Sequence, residues 1–282
     1  MSVKIITDSS ADLMDDIKKQ CIIVPLRVSF GDEEFIDGVT IDNEEFYRRL
    51  IEYDVLPTTS QATPHMFSET FEKVVNAGDT AVVITLASKL SGTYQSACIA
   101  ASEFEDKIFV VDSTQATIGT SIQVNRAVEL SNKGLSAKEI FETIEEEKKK
   151  VRLVAVLDTL EYLQKGGRIS KAAAFAGGLL SIKPVIAIDD GEVKVLGKAR
   201  GSKQGNNYLI KMIEEAGGVD YDMPIMLAYS GLSDMLLQKY IEDSASLWEG
   251  KVEKLDIASI CPVIGTHVGP GAIAVAFFEK SK

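Results

Sequence analysis

Three short stretches bring together residue types that could do chemistry. LPTTSQATPHMF (56–67) sets four hydroxyls, Thr58, Thr59, Ser60 and Thr63, ahead of Pro64, a residue suited to the first turn of a helix. Capping that helix occupies one side chain, here Thr63, and leaves the others free to donate hydrogen bonds to an anion near the positive helix end. LASKLSGTYQSA (86–97) repeats the theme, with Ser91, Gly92 and Thr93 opening a helix at a strand end. A glycine there lets a ligand approach the backbone closely. TDSSAD (7–12) also follows a strand, at the end where open α/β sheets bind ligands, although Ser9, Ser10 or Asp12 taken singly reads as a helix cap.

GTHVGPGAIAVAFF (265–278) holds His267, one of the two histidines in the chain. A glycine loop that cradles phosphate normally runs from a strand into a helix, whereas this loop runs into the β-branched and aromatic pattern of a strand. What remains is a tight turn holding a lone imidazole, with a packed core histidine as the competing reading. His65, at a helix start, reads as a surface residue. Two basic clusters, Lys165 and Arg168 around a glycine pair in LQKGGRIS (163–170) and Lys198, Arg200 and Lys203 in LGKARGSK (196–203), are either phosphate contacts or ordinary surface charge.

Several chemistries lack their signatures. No dinucleotide fingerprint, Walker loop or G-x-S-x-G elbow occurs. His267 could act as base to a Ser91 nucleophile, but nothing nominates the third member of a triad. Cys21, Cys98 and Cys261 are odd in number and far apart, which fits neither a disulfide framework nor a zinc site and predicts reduced packing residues.

The elements that must position these residues follow an α/β rhythm. Strand VKIITD leads into a helix near 11–19, TAVVITLA into SGTYQSACIAASEF, and KIFVVDS into a helix through Glu129 and Leu130. Near-continuous apolar strands imply burial on both faces and predict a doubly wound, mostly parallel sheet over residues 1–150. EEEKKK (145–150) reads as a solvated helix end at the boundary. Residues 151–282 predict an α+β domain with a mixed or antiparallel sheet, from strand RLVAVLD (152–158), a Gly-rich helical region, and a hairpin turning at Asp190-Gly191. Helices near 203–216 and 233–247 and strands PIMLAYS, VEKLDIAS and AIAVAFF complete it.

At 282 residues the chain can bury a sizeable core in one large or two medium domains. Its 30 basic and 42 acidic residues give a net charge of −12, which repels nucleic acid and anionic membrane surfaces. No apolar stretch approaches bilayer length, and the N-terminus reads as a strand rather than a signal peptide, so a soluble, cytoplasmic protein is expected.

The blocks TDSSADL, PTTSQ, SGTYQSA, LEYLQKGGRIS, KPV before a hairpin, KAR and GTHVGPGA, in this order along nearly the whole chain, resemble the DegV family of bacterial fatty-acid-binding proteins, which includes the binding subunits of the fatty acid kinase. The resemblance implies two α/β domains with one long-chain, palmitate-like fatty acid between them and no other cofactor. It implies a carboxyl group held by Thr59 and Ser91, with His267 close to it. Ser60, Gly92, Thr93, Arg168 and Arg200 are further candidates for contact with the head group or a phosphate. The chain departs from the family pattern at Ala62, where proline is usual, and in the final strand. A separate kinase subunit would phosphorylate the bound acid; the opposing expectation is an autonomous phosphotransferase or hydrolase acting through His267 or Ser91. The small apolar residues of 172–188 are read as tunnel lining or plain core.

Overall fold

The computed structural model describes residues 2–53, 55–170 and 182–280. Strands β1 (Val3–Asp8), β2 (Cys21–Val24), β6 (Thr80–Thr85) and β7 (Ile108–Asp112) form a parallel sheet in the order β2-β1-β6-β7. Alternation along each strand sends neighbours to opposite faces. Ile6, Ala81 and Val83 pack with Phe67 and Phe71 of α3 (Pro64–Asn76) and Ala97 of α4 (Thr93–Ala101). Ile5, Val82 and Ile84 pack with α5 (Ile118–Asn132) and α6 (Ala137–Glu147).

The second sheet, of six strands, has the order β10-β9-β8-β13-β11-β12. Here β8 is Val151–Val156, β9 Ile182–Asp189, β10 Glu192–Arg200, β11 Met226–Tyr229, β12 Asp256–Ser259 and β13 Ile273–Phe278. Its pairs are antiparallel except β11 with β12. Val154, Val156, Leu227 and Val275 face α8 (Gly201–Glu215), α9 (Met235–Asp243) and α10 (Ala245–Trp248). Leu153, Ala155, Ile186 and Ala274 face the first half of the chain. Helix α5 lies between the sheets and touches strands of both, which is why eleven of its fifteen residues are buried.

The hairpin forms where expected, with Asp190 at φ 48° and Gly191 at φ 73°, the left-handed pair a two-residue turn requires. Thr63 caps α3 by accepting the Met66 N–H, and EEEKKK ends α6 just before β8.

Other expectations need correction. The helix expected near 11–19 is reduced to α1 (Asp15–Lys18), and none of Ser9, Ser10 or Asp12 caps it. Their side chains are committed elsewhere. Asp8 accepts from the Ser10 N–H and from the Leu86 N–H, Ser9 Oγ donates to Asp37, and Asp12 accepts from the Cys261 N–H. TDSSAD is therefore a knot joining β1 to the β6 end and to the far half of the chain. Ser244 splits the helix expected near 233–247: its Oγ donates to the Tyr240 carbonyl and accepts from Trp248 Nε1.

A small antiparallel sheet, β4-β3-β5 (Glu33–Ile36, Arg27–Phe30, Thr58–Ser60), was not legible in the sequence. Nor was α11 (Pro262–Val268), which holds His267 in its last turn, so the turn expected around His267 begins only at Gly269. The apolar segment 172–188 falls mostly outside the described residues; of it, Ile186 and Ile188 line the cavity described next. Among the described residues no helix is long and apolar enough to cross a membrane.

Candidate functional site

The strands of the small sheet place Thr59: β5 pairs antiparallel with β3, Thr59 opposite Val28, and so stands beside α11. Helix α11 is built from residues that favour strands, and tertiary packing holds it. Gly265 lies so close to Phe46 and Tyr47 of α2 (Asn43–Glu52) that a Cβ would come within 2.7 Å of the Phe46 ring and of the Tyr47 hydroxyl. Gly269, at φ 69°, leaves room for the Tyr162 ring of α7 (Glu161–Lys165), which a Cβ would meet at 2.2 Å. The glycines of GTHVGPG thus seat two aromatic contacts rather than an anion.

His267 Nε2 lies 3.0 Å from Thr59 Oγ1. Its Nδ1 is buried with no hydrogen-bond partner among the described residues and is pressed against Gly166, where a Cβ would sit 2.2 Å away. Burial, with a smaller contribution from the Arg168 guanidinium, pulls the imidazole pKa down to about 4, so the ring is neutral at physiological pH. A buried N–H without an acceptor costs more than a bare lone pair, which puts the single ring hydrogen on Nε2, donated to Thr59 Oγ1. The Thr59 hydroxyl hydrogen is then free to be donated to another acceptor.

Gly166→Ala is expected to push the His267 ring off Thr59 and to destabilise the protein by about 1–3 kcal/mol through overpacking. Ring nitrogen NMR shifts that match the parent protein would refute it.

Ser91, just before α4, shares a 2.9 Å hydrogen bond with Thr93 Oγ1 and accepts from the Thr93 N–H. Thr93 is fully buried and supports Ser91 without lining the cavity. Gln61 was missed in the sequence, although it directly follows Thr59 and Ser60. Its amide donates to Ser96 Oγ at 3.0 Å and lies flat on Gly92, where a Cβ would meet the amide oxygen at 2.1 Å. It joins β5 to the start of α4 and so sets the spacing of the two hydroxyl stretches. Arg168 crosses the same region, donating to the carbonyls of Leu90 at 3.2 Å and Gly166 at 2.6 Å, and its half-buried guanidinium has a lowered pKa through desolvation.

Thr59, Ser60, Gln61, Ser91, Gly92, Arg168 and His267 all line one cavity of about 320 Å³ between the two sheets. Most of its remaining wall is apolar, including Leu26, Leu86, Leu153, Ile186 and Ala274. A second recess of about 300 Å³, with Tyr162 and Lys165, shares Thr59, Arg168 and His267 with it. Arg200, at the exposed end of β10, lines neither, and its N–H donates to Gln204. His267 pairs with Thr59 rather than Ser91, and no carboxylate reaches Nδ1 among the described residues, so no Ser-His-Asp arrangement is assembled. No group of three or more metal-ligating side chains occurs among them either. His65 is exposed, beside Glu69.

The sequence matches the family model described as "Uncharacterised protein, DegV family" over residues 2–280. A DegV domain-containing protein of Caldanaerobacter subterraneus subsp. tengcongensis is 36% identical over 282 residues, covering 99% of both chains. Among solved structures, a Thermus thermophilus DegV family protein, described by its fatty acid binding, superposes with a TM-score of 0.89 at 31% identity, over 99% of this chain and 100% of that one. A stearic acid-binding protein from Eubacterium ventriosum superposes at 0.87 with 28% identity, over 99% of each chain. The matched span, the block order and the shared fold agree, and the chain belongs to the DegV family.

Proposed function

We propose that this protein is cytoplasmic, binds one long-chain fatty acid between two domains divided near residue 150, and presents the carboxyl group to a separate fatty acid kinase for acyl phosphate formation. The observation that carries the reading is the apolar cavity with Thr59, Ser91, Arg168 and His267 in its wall, Thr59 hydrogen-bonded to His267 and Arg168 to the carbonyls of Leu90 and Gly166. Burial of each methylene contributes about 0.8 kcal/mol, so the tail supplies the affinity. A carboxylate leaving water needs donors in compensation. Thr59 supplies one through the hydrogen freed by His267, and Ser91 a second. A carboxylate arriving beside His267 would in turn raise the imidazole pKa.

The kinase half of the proposal draws support from the second recess. A carboxyl at the shared wall of Thr59 and His267 would be reached from that side, where Arg168 supplies positive charge for a phosphoryl group and Lys165, ion-paired with Glu161, lines the same recess. The solved relatives described by fatty acid binding, one of them a stearic acid-binding protein, support the same ligand class. Native mass spectrometry of purified protein, followed by lipid extraction and thermal unfolding with added palmitate, tests the binding. A bound fatty acid and a raised melting temperature are expected. A ligand-free protein whose melting temperature ignores palmitate would refute the assignment, and acyl product formed without any kinase would favour an enzyme instead.

A further inference from the structure

The seam between the two sheets is built differently on its two sides. On one side two buried hydrogen bonds and one part-buried one close it: Asp12 accepts from the Cys261 N–H at 2.8 Å and Tyr47 Oη donates to the Ile260 carbonyl at 3.0 Å, while the part-buried Asn43 Nδ2 donates to the Ser259 carbonyl at 3.0 Å. On the other side the tip of the β9–β10 hairpin meets the loop after β6 through exposed ion pairs. Lys89 Nζ lies 2.8 Å from Asp190 and 3.8 Å from Glu192, and these side chains are 45%, 81% and 47% exposed. Lys89 also feels Asp112, and Lys194 competes for Glu192. The cavity wall runs directly behind this contact: Leu90 adjoins Lys89, while Ile188 and Val193 flank the hairpin tip, and all three line the cavity.

We propose that the 87–92 loop and the hairpin tip form the portal through which a fatty acid tail enters and leaves, with Lys89 as its clasp and the buried seam at 259–261 as the hinge. This rests on the fatty-acid-binding reading above. A tail lying between the sheets has to part them somewhere. Buried hydrogen bonds to backbone groups resist parting, because each broken partner is left desolvated. Exposed ion pairs cost little to break and are screened by salt. Lys89, Asp190 and Glu192 do not line the cavity, so loosening the clasp accelerates entry and exit together and leaves the dissociation constant unchanged.

The hairpin geometry supplies the test. A Cβ at Gly191 would lie 3.4 Å from Ala87 Cβ, close to the roughly 3.5–4.5 Å span of a disulfide; a side chain at φ 73° strains the turn, so the reduced double variant is the reference for the oxidised one. Ala87→Cys with Gly191→Cys, in a background with Cys21→Ser and Cys98→Ser, places a reducible staple across the portal. The readout is stopped-flow transfer of a fluorescent long-chain fatty acid from loaded protein to phosphatidylcholine vesicles. Oxidation is expected to slow release about tenfold or more, with reductant restoring it. Salt is expected to accelerate release from the parent protein, and Lys89→Ala to speed uptake and release about threefold and to remove that salt dependence. Equal release from oxidised and reduced staple, or Lys89→Ala kinetics equal to the parent's, would overturn the portal. A parent protein that never takes up the probe would refute fatty acid binding itself, a separate failure.

Discussion

Thr59→Ala combined with Ser91→Ala is expected to weaken binding of a long-chain fatty acid about a hundredfold, a loss of about 3 kcal/mol. Hydrogen bonds to a charged group contribute about 1.5–3 kcal/mol each, and water admitted to the space of the two lost hydroxyls replaces part of that. The tail contacts are untouched, so affinity falls without vanishing. The methyl ester of the same acid, which carries no anionic head group, should bind parent and double variant nearly alike. Both residues are half-buried, but Thr59→Ala takes the acceptor from His267 Nε2–H, so the melting temperature of the empty variant should fall by a few degrees while the fold is kept. Titration of both ligands against both proteins checks the result. Equal affinity of the variant and the parent for the free acid would remove these hydroxyls from the site.

The contrast between what the sequence reveals and what it hides follows from where each element draws its stability. Strands such as β6 and β13 are β-branched and apolar along their length, and the Asp190-Gly191 hairpin is written in residues that tolerate positive φ. Local chemistry determines them, and they are legible. Helix α11 is the opposite case: PVIGTHV has poor intrinsic helix propensity and is held by Phe46, Tyr47, Tyr162 and Asp12, all distant in sequence. Thr59 and His267 could be nominated by residue type, yet the hydrogen bond between them spans 208 positions, and only the fold brings them together. Arg168 and Arg200 look equally suited in sequence. One lines the cavity, held by the carbonyls of Leu90 and Gly166, and the other ends an exposed strand opposite Ile182 of β9, a difference that rests on contacts distant in sequence. Gln61 carries a signal that was available, an amide beside two hydroxyls, but its purpose depends on Gly92 lying beneath it.

Asp12 is expected to make stability fall as pH rises. Its carboxyl is buried, accepting from the Cys261 N–H and the Thr117 hydroxyl, and desolvation outweighs those bonds and Lys18 to lift its pKa to about 7. Asp37 is lifted to about 7 as well, chiefly by burial and in part by Asp12 and Asp8, while the Cys261 thiol reaches both carboxyls. In the unfolded chain these groups titrate near the ordinary value, about 3.9. Between there and pH 7 the folded state binds more protons, so its stability is fully present below that window and declines across it as pH rises. His267 acts in the opposite sense between about 4 and its ordinary pKa, since the folded ring stays neutral while the unfolded ring charges. The variant Asp12→Asn separates the two. Its amide oxygen can still accept from Cys261 and its NH₂ can donate to Thr117, but it cannot ionise, so its denaturation midpoint should drop less than the parent's between pH 5 and 8. Asp12→Ala leaves the Cys261 N–H and the Thr117 hydroxyl without their acceptor and should cost about 2–4 kcal/mol at both pH values. Because the Cys261 N–H anchors the start of α11, and His267 sits in that helix's last turn, Asp12→Ala should also lose fatty acid affinity that Asp12→Asn retains. Denaturant titrations of the three proteins at the two pH values decide it: parallel pH profiles for the parent and Asp12→Asn would show that Asp12 is already ionised throughout, held by its two donors and not lifted by burial.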